Sequence, residues 1–180
     1  MHPPPDVFAG SQVTLRRAMP HDGAALFAVA CNPRVMRFMD WPMPKESEEV
    51  HAHLRKADAE WQEGREFQWV ILENSTRQLT GTISCRPRGH SADFGYFLGP
   101  SHWGKGLAFE AATQVTGWLL HQPEILRIWA TADAENERSR RLLERIGLRL
   151  EGILRMATYR PNIGGKPRDT ALYAVCKSDA

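Results

Sequence analysis

The sequence predicts one α/β domain: a mixed, largely antiparallel sheet of about seven strands, flanked by helices. Three observations carry that prediction. A length of 180 residues with ordinary apolar and charged fractions suits a single well-buried core. Short β-rich runs separated by turn residues fill the middle of the chain, while apolar positions recur at helical spacing on either side of them. Between Phe94 and Glu110 the chain reads FGYFLGPSHWGKGLAFE, an apolar run, a glycine-rich turn and then helical spacing.

The elements follow in order. Residues 1–10 hold three consecutive prolines and read as a flexible arm, with the folded domain spanning 11–178. Val13 and Leu15 alternate with Thr14 and Arg16 as in a half-buried strand, and Pro20, His21 and Asp22 open a helix to about Cys31. A helical turn around Arg34 to Met39 leads into the loop Asp40-Trp41-Pro42-Met43-Pro44, where two prolines restrict the backbone. From Lys45 to about Glu63, Val50, Leu54, Ala57 and Trp61 form the apolar stripe of an amphipathic helix that Gly64 stops.

Three β-rich runs begin at Phe67, Leu79 and Ala92, with turns at Asn74-Ser75 and Pro87 to His90, and read as an antiparallel meander. Gly104 to about His121 is a helix whose stripe is Leu107, Ala108, Ala111, Ala112, Val115, Trp118 and Leu119. Leu126 to Ala132 is a strand, and Asn136 caps a helix from Glu137 to Ile146 that Gly147 closes. Two more strands fall near Arg149 to Tyr159 and Asp169 to Cys176.

Composition narrows the function classes. A formal charge of +2 with basic residues spread along the chain, apart from Arg138, Arg140, Arg141 and Arg145, argues against a nucleic-acid partner. The chain has no apolar run of about eighteen residues and no leader-like start, so neither a membrane partner nor export is expected, and the setting expected is cytoplasmic. Cys31, Cys85 and Cys176 are scattered and read as reduced thiols, and His51 and His53 diverge on a helix, so no metal site is expected.

The glycine-rich turn opens the chemistry. First-turn N–H groups of a helix lack intrahelical partners, and with the helix dipole they make a seat for phosphate. Two nucleotide-binding readings and a purely geometric one compete for it. Gly99, Gly104 and Lys105 satisfy much of a P-loop, but Gly106 stands where a hydroxyl must meet magnesium, and Pro100 sits inside the loop. A dinucleotide fold needs a βαβ unit and a G-x-G-x-x-G run, and a turn serving geometry alone also stays open.

FGYFLGPSHWGKGLAFEA resembles the acetyl-CoA-binding motif of the GNAT N-acetyltransferase superfamily, [Q/R]-x-x-G-x-[G/A], with Ser101 in place of Gln or Arg and Gly104, Gly106 and Ala108 keeping the small residues. Asn136 to Gly152, with Ser139, Gly147 and Glu151, resembles the N-x-x-S helix and following strand of the RimJ/RimL branch, which includes acetyltransferases of ribosomal-protein N-termini. Thr14-Leu-Arg, Asn32-Pro-x-Val-Met and Arg168-Asp169 extend the likeness along the chain.

The resemblance implies acetyl-CoA as cosubstrate, transfer to a primary amine without metal, and a splayed strand at Phe94 to Leu98. Main-chain groups of Phe97 and Leu98 would then meet the pantetheine arm, Trp103, Gly104, Lys105, Gly106, Leu107 and Ala108 the pyrophosphate, and Asn136 the arm again. Ser139, which shares a helix face with Leu142, Leu143 and Ile146, is the expected proton source for the leaving thiolate. Asp93 is the expected base, while Met39, Trp41 and Tyr159 are expected at the acceptor. A peptide N-terminal α-amine is the first acceptor expected, with a polyamine, amino sugar or antibiotic as the small-molecule alternative. An inactive CoA-binding regulatory module is the alternative of another class, and a homodimer is compatible with all three.

Overall fold

A computed structural model describes residues 2–179. Eight strands form one sheet in the order β1-β2-β3-β4-β5-β6-β8-β7. They are β1 (Val7–Ala9), β2 (Val13–Arg17), β3 (Phe67–Glu73), β4 (Leu79–Arg88), β5 (Ser91–Leu98), β6 (Arg127–Asp133), β7 (Arg149–Thr158) and β8 (Arg168–Cys176). Five helices accompany them: α1 (Gly23–Ala30), α2 (Pro33–Met36), α3 (Ser47–Gln62), α4 (Leu107–Leu120) and α5 (Glu137–Arg145).

The mixed sheet expected from the sequence is present with one strand more. The additional strand is β1, which lies within the segment read as an arm: Val7, Phe8 and Ala9 pair antiparallel with Arg16, Leu15 and Thr14. Pairing with a neighbour orders a three-residue segment whose own propensity is too weak to announce it. The turn expected over Pro87 to His90 is also shorter, because β4 continues through Arg88 and β5 starts at Ser91.

Side-chain alternation along the strands puts two cores on opposite faces. On one face Trp69, Ile83, Phe94, Leu98 and Ile128 pack beneath Leu107, Ala111, Val115 and Leu119 of α4 and Leu143 of α5. On the other, Val70 and the half-buried Phe97 meet Leu26 of α1 and Val50 and Leu54 of α3. All four apolar positions expected on α3 are buried. Glu49 closes the start of that helix by accepting from the Glu46 N–H at 3.2 Å.

Candidate active site

The sheet comes apart in the middle. Strands β5 and β6 run parallel and pair only where Ser91, Ala92 and Asp93 face Arg127, Ile128 and Trp129. Beyond that point β5 stays on β4 as far as Leu98 opposite Gly81, and β6 stays on β8 as far as Asp133 opposite Thr170. A wedge therefore opens between Phe94–Leu98 and Ala130–Asp133, with main-chain groups along its edges free of ladder bonds.

The register decides which groups reach that wedge. The Phe97 carbonyl faces β4, where a Cβ added at Gly81 would lie 2.0 Å from it. The Gly99 N–H likewise bonds to Thr80 of β4, at 2.8 Å. Alternation then turns the main-chain groups of Tyr96 and Leu98 toward the wedge, so the Phe97 main chain expected there faces β4 instead. The Leu98 carbonyl accepts from the Trp103 indole N–H at 2.8 Å.

Downstream, Gly104 and Gly106 have φ of +78° and +85°, the left-handed region that favours glycine. Gly106 is the N-cap of α4 and supplies no side-chain cap, so the first-turn N–H groups are open to an anion. A Cβ at Gly104 would meet nothing within 4 Å, so the loop has clear space in front of it. Leu107 is buried, leaving its main chain as the part available to a ligand, and Ala108 is half-buried against the same core. Lys105 Nζ lies 3.5 Å from Glu73, whose other oxygen lies 3.3 Å from His102 Nδ1, so the lysine charge already has a partner. Two guanidinium groups lie over the Trp103 ring, Arg138 at 4.1 Å and Arg34 at 5.2 Å from its centroid.

Two cavities, of about 460 and 540 Å³, meet at this place and share Phe38, Met39, Tyr96, Phe97, Asn136 and Ser139. The smaller continues beside Trp103 and the Arg34, Arg37, Arg138 and Arg141 side chains, and the larger beside Trp41, Asp93 and β6. Ser139 thus sits at the junction. Its N–H donates to Asn136 Oδ1 at 3.3 Å, fixing the start of α5, and its Oγ accepts from the Tyr96 hydroxyl at 3.3 Å. Burial pushes the Tyr96 hydroxyl above the usual phenol range, and the bond to Ser139 and the charge of Arg138 pull it part of the way back.

Of the acceptor residues expected from the sequence, Met39 and Trp41 line the larger cavity, and Trp41 stands 6.1 Å from Phe97, ring to ring. Tyr159 does not join them: it is 67% exposed and lines neither cavity. The next residue, Arg160, turns in instead. Asp93 lines the larger cavity, as the strand alternation requires, but its carboxylate takes two bonds from Arg86, one of them from Nε at 2.8 Å. That carboxylate is therefore already engaged by a guanidinium.

Sequence reasoning missed Tyr96, Arg86 and Arg160. For Tyr96 a signal existed: it alternates with Phe94 and Leu98, toward the face that also receives α5. Arg160 follows no motif. Its side chain is 6% exposed and its Nε lies 3.7 Å from Asp133, which is 1% exposed. Asp133 in turn accepts from Arg168 at 2.7 and 3.0 Å and from the Glu135 N–H at 3.0 Å. Burial alone would push the Asp133 carboxyl up; the Arg168 bonds and the Glu135 N–H outweigh it and hold the carboxyl below the usual range. Among the described residues no three His, Cys, Asp or Glu side chains gather as a metal site, and no helix is long and apolar enough to cross a membrane.

A sheet split beside a glycine loop that opens a helix is the arrangement that the resemblance implies for an acyl-CoA-dependent transferase. Residues 12–149 match the Acetyltransferase (GNAT) domain, and the chain belongs to that family. It is 31% identical over 169 residues to YoaA, an uncharacterized N-acetyltransferase of Bacillus subtilis (strain 168), covering 92% of this chain and 94% of that one. It is also 30% identical over 121 residues to the [ribosomal protein uS5]-alanine N-acetyltransferase of Escherichia coli (strain K12), covering 65% of this chain and 61% of that one. Its fold superposes with a TM-score of 0.86 on RimL, a ribosomal L7/L12 α-N-protein acetyltransferase in complex with coenzyme A, at 21% identity over 97% of this chain and 99% of that one. The chain is an acetyl-CoA-dependent N-acetyltransferase of the GNAT fold, as the glycine-rich turn and the Asn136–Ser139 helix led us to expect.

Proposed function

We propose that the chain transfers the acetyl group of acetyl-CoA directly to a peptide N-terminal α-amine. The observation that supports it best is the junction of two cavities inside the wedge between β5 and β6, where Ser139 and Tyr96 meet. The smaller cavity, on the side of the Gly104–Ala108 loop, suits the donor. The larger, walled by Trp41 and Met39, suits the acceptor. A likeness to N-terminal acetyltransferases of ribosomal proteins favours an α-amine over a small drug-like amine. Cys31, Cys85 and Cys176 are all free thiols, in keeping with the cytoplasm, where such N-termini emerge.

The residues of the chain divide the work. Main-chain N–H groups at Gly104 to Ala108 hold the pyrophosphate, and Asn136 orients the arm of the donor. When bound, acetyl-CoA supplies a thioester carbonyl. Wedge-facing N–H groups of β5 hydrogen-bond that carbonyl oxygen and favour charge developing on it. The acceptor nitrogen forms its bond to the carbonyl carbon as the C–S bond breaks. Ser139 Oγ–H donates to the departing sulfur, and the proton lost by the nitrogen returns to the Tyr96–Ser139 pair. Because burial keeps Tyr96 protonated, it serves as a standing donor to Ser139. An α-amine has a pKa near ~8 and enters partly neutral, so the reaction does not depend on the Asp93 carboxylate, which Arg86 already engages.

A panel experiment tests this. The protein is incubated with acetyl-CoA and a peptide carrying a free α-amine, the same peptide with a blocked N-terminus and an internal lysine, a polyamine and an amino sugar, and free CoA thiol is followed. Turnover with the first acceptor alone supports the proposal. Turnover confined to the polyamine or amino sugar moves the acceptor class, and tight CoA binding without turnover makes the chain a regulatory module.

A further inference from the structure

The larger cavity holds a buried cation whose hydrogen-bonding capacity is unspent. Arg160 lines it, yet the guanidinium makes no hydrogen bond among the described residues, and its buried Nε has no hydrogen-bond partner. Its nearest anion, Asp133 at 3.7 Å, is already occupied by Arg168 and a main-chain N–H. Arg168 has a second carboxylate, Glu135, at 2.7 Å, so that guanidinium is the satisfied member of the pair.

Two of the other cationic groups lining the cavity already have carboxylate partners. Arg86 joins Glu66 at 3.2 Å and also Asp93, while Arg88 lies 3.7 Å from Asp93 and is mostly exposed. Asp40 is exposed at the rim. A guanidinium withdrawn from water without bonds is unfavourable, and the planar fork of an arginine matches a carboxylate through two parallel N–H bonds. We infer that Arg160 anchors a carboxylate carried by the amine acceptor, so that the enzyme favours amines bearing an acidic group. The inference rests on the reading that the larger cavity receives the acceptor.

Two matched pairs of amines separate the sources of such a carboxylate. One is a C-terminally amidated peptide beginning with aspartate against the same peptide beginning with asparagine. The other is free alanine against alaninamide. Each is titrated calorimetrically into the CoA-loaded protein, wild type and Arg160→Met, with Arg160→Lys as the charge-conserving variant, and acetyl transfer is then measured separately.

A charge-assisted pair gives about tenfold to a hundredfold tighter binding of the carboxylate member. That preference should vanish in Arg160→Met while the affinity for the neutral member stays within about twofold, and Arg160→Lys should recover part of it. A preference in the peptide pair assigns an acidic first residue, and one in the alanine pair a free amino acid. Equal binding of both members in the wild type overturns the inference. So does an Arg160→Met variant that still binds CoA and unfolds at the wild-type temperature yet weakens both members alike. If the acidic member binds through Arg160 but no acetyl is transferred, the anchor stands and the proposed function fails.

Discussion

Gly106→Val perturbs the phosphate seat with a cost that separates into two measurable parts. The residue has φ of +85°, and a Cβ there would find its nearest neighbour, Gln12 Nε2, at 3.5 Å, so the free protein has room for a side chain. What remains is backbone strain of about 1–2 kcal/mol for an L-residue in the left-handed region. For a chain of this size that lowers Tm by roughly 2–8 °C. The second part falls on the ligand. A branched side chain above the first turn of α4 blocks close approach, and losing one hydrogen bond to a charged phosphate, worth about 1.5–3 kcal/mol, weakens CoA by about tenfold to a hundredfold.

Gly64→Val is the control. Gly64 has φ of +70° with nothing within 4 Å of an added Cβ, and it follows α3 and lines neither cavity. It should lose similar stability and keep its CoA affinity. Thermal unfolding and calorimetric CoA titration read the two parts separately. If both variants lose Tm and neither loses CoA affinity, the loop is a turn and not a seat.

Other perturbations reach the remaining parts of the site. Ser139→Ala keeps the N–H that Asn136 caps but removes the hydroxyl, so kcat should fall by about tenfold or more with CoA affinity unchanged in steady-state and binding assays. Tyr96→Phe removes the donor to Ser139 Oγ; kcat should fall in the same direction by a smaller factor, with stability changed by no more than about 1.5 kcal/mol in urea unfolding. Asp133→Asn breaks a buried ion pair and leaves Arg160 and Arg168 without their shared carboxylate, costing about 3–5 kcal/mol in the same assay. Because the folded-state pKa of Asp133 lies below its unfolded value of about 3.9, its contribution is fully present above that value and is lost as pH falls through the lowered folded value. Urea midpoints measured from about pH 6 to about pH 2 should therefore fall in the acid range for the wild type and less steeply for Asp133→Asn.

What the sequence disclosed depended on how local its cause was. Helix α3 was legible because Val50, Leu54, Ala57 and Trp61 repeat along one stripe and Gly64 stops it. The start of α5 was legible because an asparagine caps its own first turn. Strand β1 was not, since three residues gain order only from Thr14–Arg16 beside them. The parallel contact of β5 with β6 depends on residues more than thirty positions apart. The splay itself came from family resemblance rather than from any residue pattern.

Within the site the same division holds. Gly104, Gly106, Asn136 and Ser139 carried local signatures. Asp93 looked like a free strand carboxylate until the fold brought Arg86 across the hairpin to it. Tyr159 and Arg160 are neighbours of which only the second enters the cavity, and what draws it there is Asp133, twenty-seven positions earlier.

The central claim is amine acetylation at the junction of the two cavities. It is tested most directly by following free CoA thiol when the protein meets acetyl-CoA with and without a peptide bearing a free α-amine. The account predicts thiol release that requires the amine, produces an acetylated N-terminus by mass spectrometry and falls by about tenfold or more in Ser139→Ala. Thiol release equal in wild type and Ser139→Ala, or a thermal shift with magnesium and ATP but none with CoA, would contradict it.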